Sequence, residues 1–244
     1  MTRLLLLIAA FVGLGRTALA DNAGHDFTPE ARALLAVGAC GELPPPDGFP
    51  AALLEHHCEV VRKAQADYLD AWVKPAREFF AAHVPKDVPK KVVYPFAGGD
   101  LSTALTVFPD ADEITTLSLE PVGDPRDLAV LKGGELTRAL GKVEYELKFL
   151  YRVNFSNTAN MIEAMRSGTL PTELIFALSA LKIHGYEVVS LRYFTLQPDG
   201  SIHYLDDDDL KKAPDPAKVA ASKRNASSIR NCWRHFPKVI SVSK

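Results

Sequence analysis

The chain has 244 residues, 47% hydrophobic and 24% charged, with 15 Gly, 17 Pro and a formal net charge of −2. This composition excludes a collagen-like chain, a long coiled coil and a wholly disordered chain. A chain of this length buries about 70% of the surface that its unfolded form exposes, so it needs no disulfide or metal to fold.

Met1-Thr2-Arg3 is a short basic start, residues 4–15 are an apolar run of twelve, and Thr17-Ala18-Leu19-Ala20 ends in the small-x-small pattern of a signal-peptidase site. The expectation is a signal peptide over residues 1–20, cleaved after Ala20, and a periplasmic or secreted protein. Twelve residues span about 18 Å as a helix, short of the roughly 30 Å hydrocarbon core, so no transmembrane anchor is expected. Val37-Gly38-Ala39-Cys40 reads like a lipidation box, but the polar stretch 21–32 stands where a lipoprotein needs its apolar region. Loss of the leader removes Arg3 and Arg16 and no acid, leaving a charge of −4. Residues 211–244 hold nine Lys/Arg against Asp215 alone, a net +8, which leaves −12 for residues 21–210. Body and tail have opposite signs.

In an oxidising compartment Cys40 and Cys58 can pair across the Pro-rich loop 41–50; with Cys232 as a third cysteine, the sequence does not choose the pair. Residues 21–90 read as an N-terminal loop and helical layer. From Ala51 to about His83, Leu54, Cys58, Val61, Tyr68, Leu69, Trp72, Phe79 and Phe80 recur mostly at three- or four-residue steps, with a break expected near Lys74-Pro75.

Residues 91–205 read as an α/β core. Residues 92–96 predict a short buried strand, Ala97-Gly98-Gly99 a tight turn, and Asp100 the cap of a helix whose face carries Leu101, Ala104, Leu105 and Phe108. Residues 114–120 predict a second strand. The whole spans 29 residues, the size of a right-handed parallel βαβ unit. Asp124-Pro125 signals a further cap and first turn, and Leu136, Leu140, Val143, Leu147 and Leu150 form an amphipathic stripe. Thr169-Leu170-Pro171 opens a helix that Gly185 closes, and residues 187–196 and 201–205 predict a C-terminal β-hairpin at a sheet edge. The fold class is α/β: a Rossmann-like layered sheet with an N-terminal helical layer. Residues 206–244 read as an acidic loop followed by a flexible basic tail.

The segment Tyr94-Pro95-Phe96-Ala97-Gly98-Gly99-Asp100 with Glu120 carries the most chemical information. Glycines after a first strand let a ligand approach the backbone, and an acid ending the second strand accepts ribose hydroxyls. Glu120 lies 21 residues after Gly99. The segment resembles the first two motifs of class I S-adenosylmethionine-dependent methyltransferases, over about 30 residues. The resemblance implies a cofactor site at Gly98, Gly99, Asp100 and Glu120, with S-adenosylmethionine as the cofactor. The longer Gly-x-Gly-x-Gly pattern is absent, and Pro95-Phe96 replace the usual acid. Asp100 at a helix start opposes a pyrophosphate, which favours a ligand without one. The same stretch with Leu119-Glu120-Pro121-Val122-Gly123 also looks like a group of uncharacterised exported bacterial proteins. That likeness extends over residues 92–205 and carries no assigned activity. Export argues against methyl transfer, because the cofactor is cytosolic.

Other clusters read as structure. Glu55, Cys58 and Glu59 share a helix face, but His56 and His57 point about 100° apart and cannot both join them, so no metal site is expected. Asp206 to Asp209 lack the turn glycine of a calcium loop and read as a solvated acidic loop facing the tail. Cys232 and His235 stand at i, i+3 in a doubtfully ordered region, and Asn154, Ser156, Asn157, Thr158 and Asn160 read as helix-capping residues. Arg224, Arg230, Trp233, Arg234 and Lys238 make the tail the expected contact for an anionic envelope partner, with nucleic acid excluded by compartment. Without a convincing acid, base or nucleophile set, the first reading is a non-catalytic envelope or interaction protein. The alternative is a nucleoside-like ligand binder or methyltransferase-like enzyme.

Overall fold

The computed structural model describes residues 24–95, 101–117, 123–153, 169–212 and 239–243. The chain is mixed α/β. Helix α1 (Thr28–Val37) starts where Asp26 Oδ1 accepts the Thr28 N–H at 3.0 Å, and its end buries Leu34, Leu35, Ala36 and Val37. The chain then turns so tightly that Gly38 and Ala39 both donate their N–H to Leu34 O, and Gly41 donates to Leu35 O. Cys40 within this turn has φ 57°, a left-handed conformation that costs a side-chain-bearing residue about 1 kcal/mol or more. It is bonded to Cys58, with Cα atoms 5.3 Å apart, so the pair that spacing made available is the one formed.

Cys58 belongs to α2 (Ala51–Tyr68), which buries Leu54, His57, Cys58, Val61, Gln65 and Tyr68 along one stripe. The break expected near Lys74-Pro75 is absent; the helix passes through a π-helical turn (Leu69–Val73) into α3 (Lys74–His83). Pro75 has no N–H and its ring crowds the carbonyl four residues back, and the wider turn accommodates it, with Lys74 donating to Leu69 O. The extra residue rotates the following face by about 100°. Phe79 therefore leaves the stripe, 56% exposed and stacked on His83, and α3 buries no residue fully.

Strand β1 (Lys91–Tyr94), helix α4 (Leu101–Val107) and strand β2 (Glu113–Leu117) form the expected βαβ unit, with the strands parallel from Lys91↔Glu113 to Tyr94↔Thr116. Leu101, Ala104 and Leu105 of α4 cover Ile114, with Val92 and Tyr94 packed beside them. The strand is not buried throughout as its run of apolar residues suggested: Val93 faces away from α4 and is 68% exposed. The basic tail, expected to be flexible, supplies a strand over residues 239–243. Its strand β5 (Val239–Ser243) pairs antiparallel with β2, giving the order β1-β2-β5. The backbone of that strand satisfies the N–H and C=O groups on the outer edge of β2.

After the short helix α5 (Asp127–Val130), α6 (Gly133–Val153) buries the whole stripe Leu136, Leu140, Val143, Leu147 and Leu150, as its spacing predicted. Helix α7 (Thr172–Ile183) is buried from Thr172 through Ala180 without interruption. Leu174, Ile175, Phe176 and Leu178 join the core made with α1, α2 and α6, while Ala177 and Ala180 join the core under the βαβ unit. The hairpin of β3 (Phe194–Leu196) and β4 (Ile202–Tyr204) forms, but its first strand covers only the end of the expected 187–196 and the pair is a separate two-stranded sheet. It packs instead on the start of the described chain. His25 donates its N–H to Leu205 O at 2.7 Å, and Phe27 is fully buried against Tyr193 and Leu205. No helix among the described residues is long and apolar enough to cross a membrane.

The disulfide closes a loop with a sequence separation of 18. Replacing Cys40 and Cys58 together by Ser should lower the unfolding free energy by about 3 kcal/mol, read as a lower denaturant midpoint, with a steeper slope because the uncrosslinked unfolded chain exposes more surface.

Candidate functional site

Gly98, Gly99, Asp100 and Glu120 lie outside the described residues, as do Asn154, Ser156, Asn157, Thr158, Asn160, Cys232 and His235. Because β1 and β2 run parallel, Pro95 and Leu117 stand at the same edge of the sheet. That edge is where open parallel sheets place ligands.

Below it lies a chain of polar side chains. His184 Nε2 is 2.9 Å from Ser102 Oγ, and Arg77 Nη2 is 2.7 Å from His184 Nδ1. The contact looks like a serine–histidine pair, but its protonation runs the wrong way. A guanidinium only donates, so Nδ1 accepts and the ring proton sits on Nε2, where it points at Ser102 rather than withdrawing its proton. Tyr68 also donates its hydroxyl to Ser102 Oγ, at 3.2 Å, and Ser102 is fully buried. Burial, with the Arg77 charge added, pulls His184 down to about 4. The arrangement holds α3, α4 and the end of α7 together, and it activates no nucleophile.

The cluster around Cys58 is equally committed. His57 is fully buried, with Nδ1 2.9 Å from Glu144 Oε1 and Nε2 3.2 Å from Gly38 O, so it ties α2 to α6 and to the end of α1. Cys58 is spent in the disulfide. No group of three or more His, Cys, Asp or Glu among the described residues is placed to hold a metal. Residues 206–209 are not a plain solvated loop, because they start helix α8 (Asp207–Lys212). Asp206 Oδ1 accepts the N–H of Asp208 and Asp209, and Asp209 Oδ2 accepts from the Asp206 N–H and contacts His203 Nε2 at 2.8 Å. That network holds Asp209 below the usual carboxylate range, chiefly through the His203 hydrogen bond.

A second buried network starts at Lys182. Its ammonium donates to Cys40 O at 2.6 Å and to Gln65 Oε1 at 2.8 Å, pinning the left-handed residue from the α7 side. Gln65 Nε2 donates to Ala39 O and to Ser179 Oγ, and the Tyr151 hydroxyl donates to the same Ser179 at 2.6 Å. Burial lowers Lys182 to about 8.

Above Tyr151 the structure opens into a cleft of about 780 Å³ between α2, the π-helical turn and α6. Phe176, Tyr151, Tyr68 and Trp72 form a column of rings beneath it. Tyr151 lies 5.2 Å from Phe176 and 4.6 Å from Tyr68, and Tyr68 stacks on Trp72 at 5.5 Å and 13°. Trp72 ends the column half-buried, on the cleft wall. Lys148 and Arg152 of α6 stand on the rim, exposed and one turn apart. Lys63, on the opposite rim, is held by Asp67 at 2.9 Å.

This cleft was not anticipated from sequence, where Tyr68 and Trp72 count only as stripe positions and Tyr151 is passed over. The available signal was Pro75 just after two aromatics at i, i+4, since π-turns recur at functional sites. Ser102 and His184 gave no signal at all, being 82 residues apart. Comparison of the chain with protein-family models, with curated proteins and with solved structures finds no match.

The unfolded chain takes up a proton at His184 near pH 6.5 and the folded chain only near 4, so stability is full above 6.5 and falls as pH drops to 4. Buried Glu146, raised chiefly by its burial, works in the opposite direction. Denaturant titrations at pH 7 and 4.5 should show a His184 contribution of about 2–3 kcal/mol to the loss, absent from His184→Asn.

Proposed function

We propose that the protein is an exported, non-catalytic binding protein whose binding site is the cleft between α2 and α6. The cleft itself carries this reading: about 780 Å³ of space with an aromatic floor, bounded by α2 and α6, which His57 and Glu144 tie together, with Cys40–Cys58 anchoring α2 to the turn after α1. That volume lies within the range of small-molecule sites, and a wall fixed before binding avoids the entropy of ordering it. The Ser102–His184 pair supports the non-catalytic part, since its proton is placed against nucleophile activation. Export is supported by the leader pattern, by the disulfide, and by Phe27, buried soon after the expected cleavage point. The basic tail remains the candidate contact for an anionic envelope partner.

A second reading has one observation behind it. The parallel βαβ unit is the minimal Rossmann-like element, and its carboxyl edge is where Gly98, Gly99, Asp100 and Glu120 would hold a nucleoside-like ligand or S-adenosylmethionine. Thermal-shift screening of the chain from Asp21 separates the two. A ligand at 100 times its Kd adds about 2.7 kcal/mol, a rise of roughly 5–10 °C in Tm. Under the first reading the shift disappears in Trp72→Ala and persists in Glu120→Ala. The reverse pattern would replace it with the second.

A further inference from the structure

We infer that the cleft takes a ring-bearing anion: an aromatic ring or the C–H face of a sugar ring, with a phosphate or carboxylate attached. The inference rests on the cleft being the binding site and goes on to its ligand. Two features set the chemistry, and they sit at complementary positions.

The first is the ring column. Phe176, Tyr151 and Tyr68 are covered, and only Trp72 at its end is partly open, beside the cleft. An indole presents a large polarisable face, and a ligand ring laid on it continues the stack. Trp72 lies within the π-helical turn, four residues after Tyr68, and their ring planes are only 13° apart.

The second is the charge on the rim. Lys63 is neutralised by Asp67. Lys148 and Arg152 stand one turn apart on α6, repelling each other weakly, and neither makes an ion pair among the described residues. Glu59 on the α2 side is the one acid of the lining left outside an ion pair, so the rim is net positive and concentrated on α6. An anion seated between Lys148 and Arg152 relieves their repulsion and receives charge-assisted hydrogen bonds, bidentate from the guanidinium. A neutral ring receives only ordinary hydrogen bonds there, without the charge-assisted gain. A nucleotide and an acidic sugar share this chemistry.

The test is a fluorescence titration of the mature chain carrying Trp233→Phe, which leaves Trp72 as the sole indole. The probes are adenosine 5′-monophosphate and glucuronic acid, each against its neutral counterpart, adenosine and glucose. At least one anion should change Trp72 emission saturably, bind about tenfold or more tightly than its counterpart, and weaken with added salt. Lys148→Ala with Arg152→Ala should erase that preference without lowering Tm, since both side chains are exposed. Which anion binds tells a nucleotide from an acidic sugar as the source. Equal binding of charged and neutral rings, unchanged in the double variant, would overturn the anion assignment while keeping the cleft as a site. Silence of Trp72 to every probe would overturn this inference, and Trp72-dependent thermal shifts with other compounds would then show that the site survives it.

Discussion

Helix α7 has no face turned to water over its first nine residues, and the rest of the molecule is arranged to cover it. An apolar helix of this kind cannot be left exposed, and twelve residues can touch two layers at once. Its large side chains meet α1, α2 and α6, whereas its small ones, Ala177 and Ala180, let α4 and β2 approach closely. The two cores are therefore one mechanical unit, joined through this helix and through the Tyr68–Ser102 and Arg77–His184–Ser102 contacts. Two of its polar residues find partners inside: Ser179 is fully buried and accepts from Gln65 and Tyr151, and Thr172 donates to Glu146.

Groups usually associated with chemistry are used here as fasteners. Arg77 fixes the tautomer of His184, His57 spans three segments, and Lys182 reaches across from α7 to the disulfide turn. Each satisfies buried carbonyls or side chains that would otherwise cost roughly 1–3 kcal/mol apiece. Their result is a stiff frame on which the Tyr68–Trp72 end of the ring column is held in place. Stiffness in the frame and openness in the cleft come from the same residues, since Tyr68 and Tyr151 serve the polar network with their hydroxyls and the column with their rings.

Periodicity was enough to read the α6 stripe, the βαβ unit and the helix between Pro171 and Gly185, because local spacing and burial agree there. It failed at three kinds of place. The phase of a stripe is lost across a π-turn, which is why Phe79 was placed inside and stands outside. A strand supplied from the far end of the chain, as β5 is to β2, leaves no local trace beyond the run Val239-Ile240-Ser241-Val242. A side-chain constellation such as Arg77, Ser102 and His184 is assembled by packing alone, and no spacing in the sequence encodes it.

The contact of Phe27 with Tyr193 and Leu205 has a consequence for the order in which the chain is completed. Synthesis presents Phe27 early, long before the residues that shelter it exist. Helix α1 can pair with nothing of α7 until well over half of the chain has followed. Assembly must then close a loop of more than 160 residues, a slow step that holds an aromatic side chain in water throughout. An early fold built on α2 and α6, clamped later by the hairpin, is the sequence of events that this topology imposes, and the interval before clamping is when the chain is most open to aggregation.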